Sequence, residues 1–405
     1  MATETFIPSG RDHLLKSATR WLNYKRQDDD IGKGLWRVHD GLYDLRSFRH
    51  PGGAEWIHMT EGQDITEAFE AAHIRFAYTE KILKNYFVKK IETPRNSLTT
   101  FEPDGFYRTL RAKAAKVMYS AQVGGPGPGF KTFALQDSLV LLFFLLLAYT
   151  CITNSMYWAI ICGIVLGMNT SAAHNFFHQA DSWRRYYWDL SFLSSRDWRV
   201  SHMLSHHLHT NTYNDIEIYG IEPFISFLPT TKNWLQQYLS HGYINLFYLI
   251  AFPSEYIKKI VMVSTGEDKL RPENLLPLFE FVALLYGLQM AFGRALVLWL
   301  TIHAFSGFWL IFTSLIASHH HPDIYHAGDT PRYVSITIES NNLFRCILNQ
   351  IGKKLIGDSV NWIRHVMWPT KLRVSFWWLP PSATTHYTIY FLLSTIPNCI
   401  FCILY

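Results

Sequence analysis

Apolar and polar positions divide the chain near Phe133. Up to that point charged residues are dense, whereas from Ser138 to Ala180 there is no Asp, Glu, Lys or Arg, and from Phe281 to Ser318 the only one is Arg294. As helix, the first of these stretches would extend about 65 Å, enough for two crossings of a ~30 Å hydrocarbon core. Its polar break, Thr153-Asn154-Ser155, predicts the hairpin turn. The second stretch predicts another pair, Phe281 to Phe292 and Ala295 to Ala317, turning at Gly293-Arg294, with a short first member unless it begins near Leu275. Tyr243 to Val263 is apolar but carries Glu255, Lys258 and Lys259, which predicts an interfacial helix rather than a span.

The polar third reads differently. Leu35 to Leu45 predicts two short strands turning at Asp40-Gly41, and Asp64 to His73 a helix with Ile65, Ala68, Phe69 and Ala72 on one face. An amphipathic helix is expected over Phe106 to Tyr119. The Gly/Pro run from Gly124 to Gly129 after it cannot be regular structure and reads as a hinge.

Composition fits a polar part joined to a membrane part: 49% of the 405 residues are hydrophobic and the mean hydropathy is close to zero. Met1 to Lys16 lacks an apolar core and is expected to be neither secretory signal nor span. Five scattered cysteines, Cys399-x-x-Cys402 among them, do not make a disulfide framework. A net charge of +5 is mild, so the basic residues are read for orientation rather than nucleic-acid binding. Arg184, Arg185, Arg196, Arg199, Lys232, Lys258 and Lys259 all lie outside the hairpin turns, which predicts that the polar third and the region from His174 to His241 face the cytosol.

The chemistry lies in the histidines. His50-Pro51-Gly52-Gly53 joins a chain-stopping proline to two glycines that allow close backbone approach, as a flat macrocycle beside a histidine requires. His39 and His58 compete within the domain. His39 sits at the strand turn and His58 is too near His50 to reach an opposite face, so both read as ordinary histidines. Together Trp36 to Asp44, the His-Pro-Gly-Gly run, Gly62-x-Asp64-x-Thr66-x-x-Phe69 and His73 resemble the cytochrome b5 family. The resemblance implies that His50 and His73 are the axial ligands of haem b, leaving no position for oxygen. Glu55, Glu61, Asp64, Glu67 and Glu70, without Lys or Arg among them, are expected to form an acidic rim that docks a basic redox partner. For this family that partner is a flavin cytochrome b5 reductase.

Beyond the first apolar pair come three histidine groups: His174 and His178, then His202, His206, His207 and His209, then His319-His320-His321. On an α-helix His174 and His178 share a face, as do His202, His206 and His209, so several imidazoles can converge on one metal. A zinc protease is the rival reading, but Asn175 stands where a His-Glu-x-x-His site carries its general base. The pattern resembles the membrane fatty-acid desaturase and hydroxylase family. It implies di-iron binding by His174, His178, His202, His206 and His207, with His319 or His320 filling a position at the end of the fourth span. His303, inside that span, is expected to make an interhelical hydrogen bond.

The resemblances imply an α+β cytochrome b5-like haem domain followed by an all-α multi-span membrane domain of the fatty-acid desaturase type. The expected organisation is a tail (1–30), the haem domain (31–92), a linker (93–133), the membrane domain (134–332) and a divergent C-terminal region (333–405) holding a candidate fifth span. The implied role is electron transfer through haem to iron and oxygen-dependent oxidation of a lipid acyl chain at the endoplasmic reticulum. Against it stands the third histidine box, which is not found after His321: His326, His365 and His386 are isolated. The alternative is a membrane-anchored electron-transfer haem protein with an incomplete desaturase-like half.

Overall fold

The computed structural model describes residues 16–97, 100–119, 128–209, 214–225, 232–287 and 289–316. His319, His320, the isolated later histidines and the C-terminal apolar run lie outside them.

Within the expected tail, helix α1 (Ala18–Asp29) starts at Ser17, whose side chain accepts from the Arg20 amide. Strands β1 (Trp36–Val38), β2 (Gly41–Tyr43) and β3 (Phe87–Lys90) form an antiparallel sheet in that order, with Val38 opposite Gly41. The two-residue turn places His39 at φ 52°, the left-handed geometry such hairpins need. Helices α2 (Ala54–Met59), α3 (Thr66–Ala72) and α4 (Phe76–Leu83) close over the sheet around Trp36, Val38, Leu45, Ile57, Phe69 and Leu83. Trp36 is fully inside, and its indole N–H donates to Thr60 Oγ1 at 3.2 Å. Helix α5 (Phe106–Met118) lies where the amphipathic pattern predicts it.

Among the described residues three helices are long and apolar enough to cross a membrane: Phe130–Thr153, Met156–His178 and Phe292–Thr313. They contain α6 (Phe130–Thr153), α7 (Met156–Ala173) and, after the short helices near the histidines (α8, Ser195–Trp198; α9, His207–His209; α10, Ile216–Tyr219) and α11 (Ser240–Ser264), helix α13 (Phe292–Leu310). The expected third crossing, Phe281 to Phe292, is realised only as α12 (Leu276–Gly287), 12 residues and so about 18 Å, too short to cross as a helix. The chain still runs from one end of the bundle to the other there. Lys259 pairs with Asp197 and Asp268 at the histidine end, and at the opposite end Arg294 donates to Asn154 Oδ1 at 2.6 Å.

Packing inside the bundle depends on small residues, as expected where neither lipid nor partner helix offers a hydrophobic gain. A Cβ at Gly167 of α7 would come within 2.8 Å of the Ser306 carbonyl on α13, and one at Gly163 would run into the Ile302 carbonyl. Outward faces stay apolar: on α6, Leu141, Leu145 and Ile152 are exposed while Phe143 and Leu147 are buried. His303 is fully buried, stacks on Phe192 and places Nε2 3.1 Å from Glu280 Oε2 on α12. Neither atom makes a hydrogen bond among the described residues, so the expected interhelical hydrogen bond is corrected to a close polar contact between helices.

The polar third rests against the histidine end of this bundle. Ala18, Trp21 and Leu22 of α1 and Met59 of α2 share one apolar cluster with Val200, Leu204, Ile216 and Tyr219. The haem-type domain and the region after α7 are therefore on the same side.

Candidate functional site

Two histidine sites face each other across that contact. In the first, the rings of His50 and His73 lie 5.9 Å apart, centre to centre, at 73°. Two metal–nitrogen bonds of ~2 Å plus the reach from each nitrogen to its ring centre come to roughly 6 Å, so the spacing fits one iron between them. Nδ1 of each ring is engaged by backbone: Gly52 N–H donates to His50 at 3.1 Å, and His73 Nδ1 lies 2.8 Å from the Phe69 carbonyl. Nε2 of His73 is thereby left for a ligand, whereas His50 must carry its ring proton on Nδ1 to present Nε2, so the Gly52 contact opens when that ring ligates. Gly52 is needed here, because a Cβ would sit 2.7 Å from His50 Cε1. Burial, and then the neighbouring His73, lowers the pKa of His50; burial lowers that of His73. Both are thus neutral, as ligation requires. Phe48, Phe69 and Tyr86 supply an aromatic wall.

His58 is exposed and His39 bonds Glu70 at 2.8 Å, so both remain ordinary histidines. The expected open acidic rim is corrected. Glu67 bonds Arg95 and Ser97, Asp64 bonds Arg95, and Glu70, fully buried, is ringed by His39, Arg108 and Arg111. Glu61 accepts from the Gly34 amide, and Glu55 pairs with Arg199 of the membrane half. The chain's own linker and membrane domain occupy four of the five charges that a docking partner would need, and Glu61 is held within the haem domain itself.

The second site gathers both predicted boxes. His174 Nε2 lies 2.6 Å from His202 Nε2 and 3.0 Å from His178 Nε2, and His207 Nε2 lies 2.9 Å from His202 Nε2. Ligand atoms of these four residues all lie within 4.8 Å of one another, as do those of His202, His206 and Glu217. Nitrogens brought this close in a half-buried place are a donor set for a divalent transition metal. His174 to His178 forms a 3₁₀ turn continuing α7. Arg199 to His206 is a π-helix, wider than an α-helix, and the wide turn brings His207 beside His202. The α-helical phase expected for this segment is corrected accordingly: His209 does not join the cluster, and its ring lies 6.3 Å from Trp21 of α1.

Sequence reading missed the carboxylates behind the cluster. His202 Nδ1 lies 2.9 Å from Glu217 Oε1, and His206 Nδ1 2.9 Å from Asp215 Oδ2. Such partners fix the tautomer that turns Nε2 toward a metal. Burial acts against the charged form of His206, but Asp215 and Glu217 outweigh it and pull its pKa up to about 9. Burial and the neighbouring imidazoles drive the pKa of His202 well down. The signal that could have revealed these carboxylates is Asp215-Ile216-Glu217 shortly after the second box, where Asp215 caps a new helix by accepting from the Glu217 amide. Trp198, stacked on His202 with ring centres 5.0 Å apart, left no such signal.

Comparison with known proteins divides the chain at the same place. Residues 21–92 match the cytochrome b5-like heme/steroid binding domain, and residues 153–352 match the fatty acid desaturase family. A cytochrome b5-related protein of Drosophila melanogaster is 34% identical over 334 residues, covering 81% of this chain and 76% of that protein. The chain belongs to the cytochrome b5-related family. This b5-related fusion is also similar to Delta(5) fatty acid desaturase A of Dictyostelium discoideum, 28% identical over 53% of this chain and 50% of the relative. The acyl-lipid (8-3)-desaturase of Mortierella alpina is 22% identical over 68% and 69%. No solved structure matches the fusion.

Proposed function

We propose that this chain is a membrane oxidoreductase of the endoplasmic reticulum with its haem domain in the cytosol. His50 and His73 would hold haem b, which would supply one-electron chemistry fed by a flavin cytochrome b5 reductase. His174, His178, His202, His206 and His207 would hold iron, for oxygen-dependent desaturation or hydroxylation of a lipid acyl chain. The carrying observation is the convergence of His174, His178, His202 and His207 on one place at the membrane end of α7, backed by Glu217 and Asp215. With oxygen, iron in such a site supplies the oxidising power that an unactivated C–H bond demands. The protein's part is to orient and to exclude water. Glu217 and Asp215 hold two imidazoles in position, while Phe176 and Phe177, both buried inside the first box, keep that turn dry. His319 or His320 would complete the set.

Non-haem iron per haem in the purified full chain tests the proposal: about two upholds it and none overturns it. A second reading, a membrane-anchored electron-transfer protein with an incomplete desaturase-like half, is favoured by the lack of a His-x-x-His-His run after His321. A fully occupied, reducible haem with no non-haem iron would establish that reading.

A further inference from the structure

Between the two histidine sites lies a contact that neither haem binding nor metal binding requires. Arg199, whose side chain is fully buried, donates from one guanidinium nitrogen to Glu55 Oε2 at 2.9 Å and from another to Asp181. Its guanidinium also lies over the Trp56 ring, 4.8 Å from the centre. Arg185 and Arg196 add weaker contacts to Glu55 at 3.6 and 3.7 Å. All three anchors stand beside candidate ligands: Glu55 follows the His50 loop, Asp181 follows His178, and Arg199 precedes His202 on the same π-helix. Backbone joins the two loops as well, since the Asp181 N–H donates to the Gly52 carbonyl at 3.1 Å. Gly53, at φ +122°, makes room, because a Cβ there would meet Asp181 Oδ2 at 2.5 Å.

We propose that Arg199 clamps the haem domain in one register on the membrane domain and that the Gly52–Asp181 hydrogen bond is the electron bridge between the two sites. The inference rests on the function proposed above. The route runs from His50 along the main chain through Pro51 to Gly52, then through the 3.1 Å bond from the Asp181 amide to the Gly52 carbonyl. From Asp181 it follows the main chain back through Ala180 and Gln179 to His178. It is thus covalent apart from one hydrogen bond, and electronic coupling falls off less steeply along such a path than across empty space. In each passage ferrous haem is oxidised to ferric and ferric iron at the histidine cluster is reduced to ferrous by one electron. The bridging Asp181 amide keeps its proton. A buried arginine held by two carboxylates and an aromatic face suits a fixed register, since each charge-assisted bond adds direction as well as energy.

The test uses the full chain carrying haem and iron, kept anaerobic. A photoexcited flavin reduces the haem in a flash, and the decay of ferrous-haem absorbance reads transfer. Hydrogen exchange of peptides 50–56 and 178–185 independently reads the contact. Glu55→Gln removes the charge on the haem-domain side at a partly exposed site, and Arg199→Lys keeps a charge but loses the fork. Both should slow the decay about tenfold or more, raise exchange in both peptides, and leave haem absorbance, haem potential and iron content unchanged. Faster exchange with an unchanged decay in Glu55→Gln would overturn the bridge. Unprotected peptides in the unaltered chain would overturn the clamp. A chain without non-haem iron would show no decay and would remove the function and the route together, with the exchange data then deciding the clamp alone.

Discussion

In the haem cleft two imidazoles face each other across a gap of about one iron atom, each fastened at Nδ1 by its own local backbone. In the cluster four imidazoles crowd together, and the groups behind one of them, His202, and behind the adjacent His206 are carboxylates from further along the chain. Local backbone sets the first site, so a short motif can encode it. Long-range contact sets the second, and its strength is distributed: the cluster has several nitrogens to lose, the cleft only two.

Breaking the cleft should have the largest effect. His73→Ala removes one of two axial ligands, and the expected result is loss of the b-type haem spectrum with non-haem metal retained, read by absorbance and metal analysis of one preparation. Next comes His202→Ala, which takes out the residue that touches His174, His207 and Glu217. Non-haem metal affinity should fall by at least about 100-fold while the haem spectrum persists. Glu217→Gln, which leaves every imidazole in place, should cost roughly 10–100-fold in metal affinity by the same titration. No loss there would show that the carboxylate plays no supporting part.

Smaller effects separate the haem domain's own stability from either cofactor. Burial raises the carboxyl pKa values of Glu67 and Glu70. Arg95 and Ser97 for the first, and His39, Arg108 and Arg111 for the second, outweigh that and leave both below the ordinary range. A depressed folded pKa stabilises above the unfolded value, near 4.5, and that contribution is lost as pH falls through the folded value. Acid should therefore loosen the linker from the haem domain only below about pH 4.5, seen as quicker exchange in α5. Arg111→Met at neutral pH should cost ~1–3 kcal/mol, because it strips a partner from the buried Glu70. Arg20→Ala, which breaks an exposed pair with Glu267, should change the melting free energy by no more than ~0.5 kcal/mol.

What could be read in the sequence follows the same division. His50, His73, the strand turn and the apolar hairpin were all legible, because their signals lie within a few residues of one another. The first span begins at Phe130 rather than Ser138, since Lys131 and Asp137 sit at a polar end that hydropathy alone excludes. Pairings such as Glu70 with Arg108 and Arg111 were invisible, because ion pairs across a linker leave no periodicity. The acidic run was visible and its meaning was not: composition reports charge but says nothing of what has already neutralised it. Likewise, both boxes were legible as histidines, whereas Asp215, Glu217 and the change of helical phase that separates His209 from its neighbours depend on the folded chain.

That change of phase makes the residue count itself part of the site. Because Arg199 to His206 winds more widely than an α-helix, loss of one residue there would let the segment tighten and turn everything before it by about 100° relative to everything after. Arg199 and Trp198 would swing away from the histidines they now adjoin. Apolar content, box residues and net charge could all stay as they are. A one-codon deletion would thus pass unnoticed in any composition profile while dismantling the site, so length across this turn is inherited information as much as the identity of any histidine.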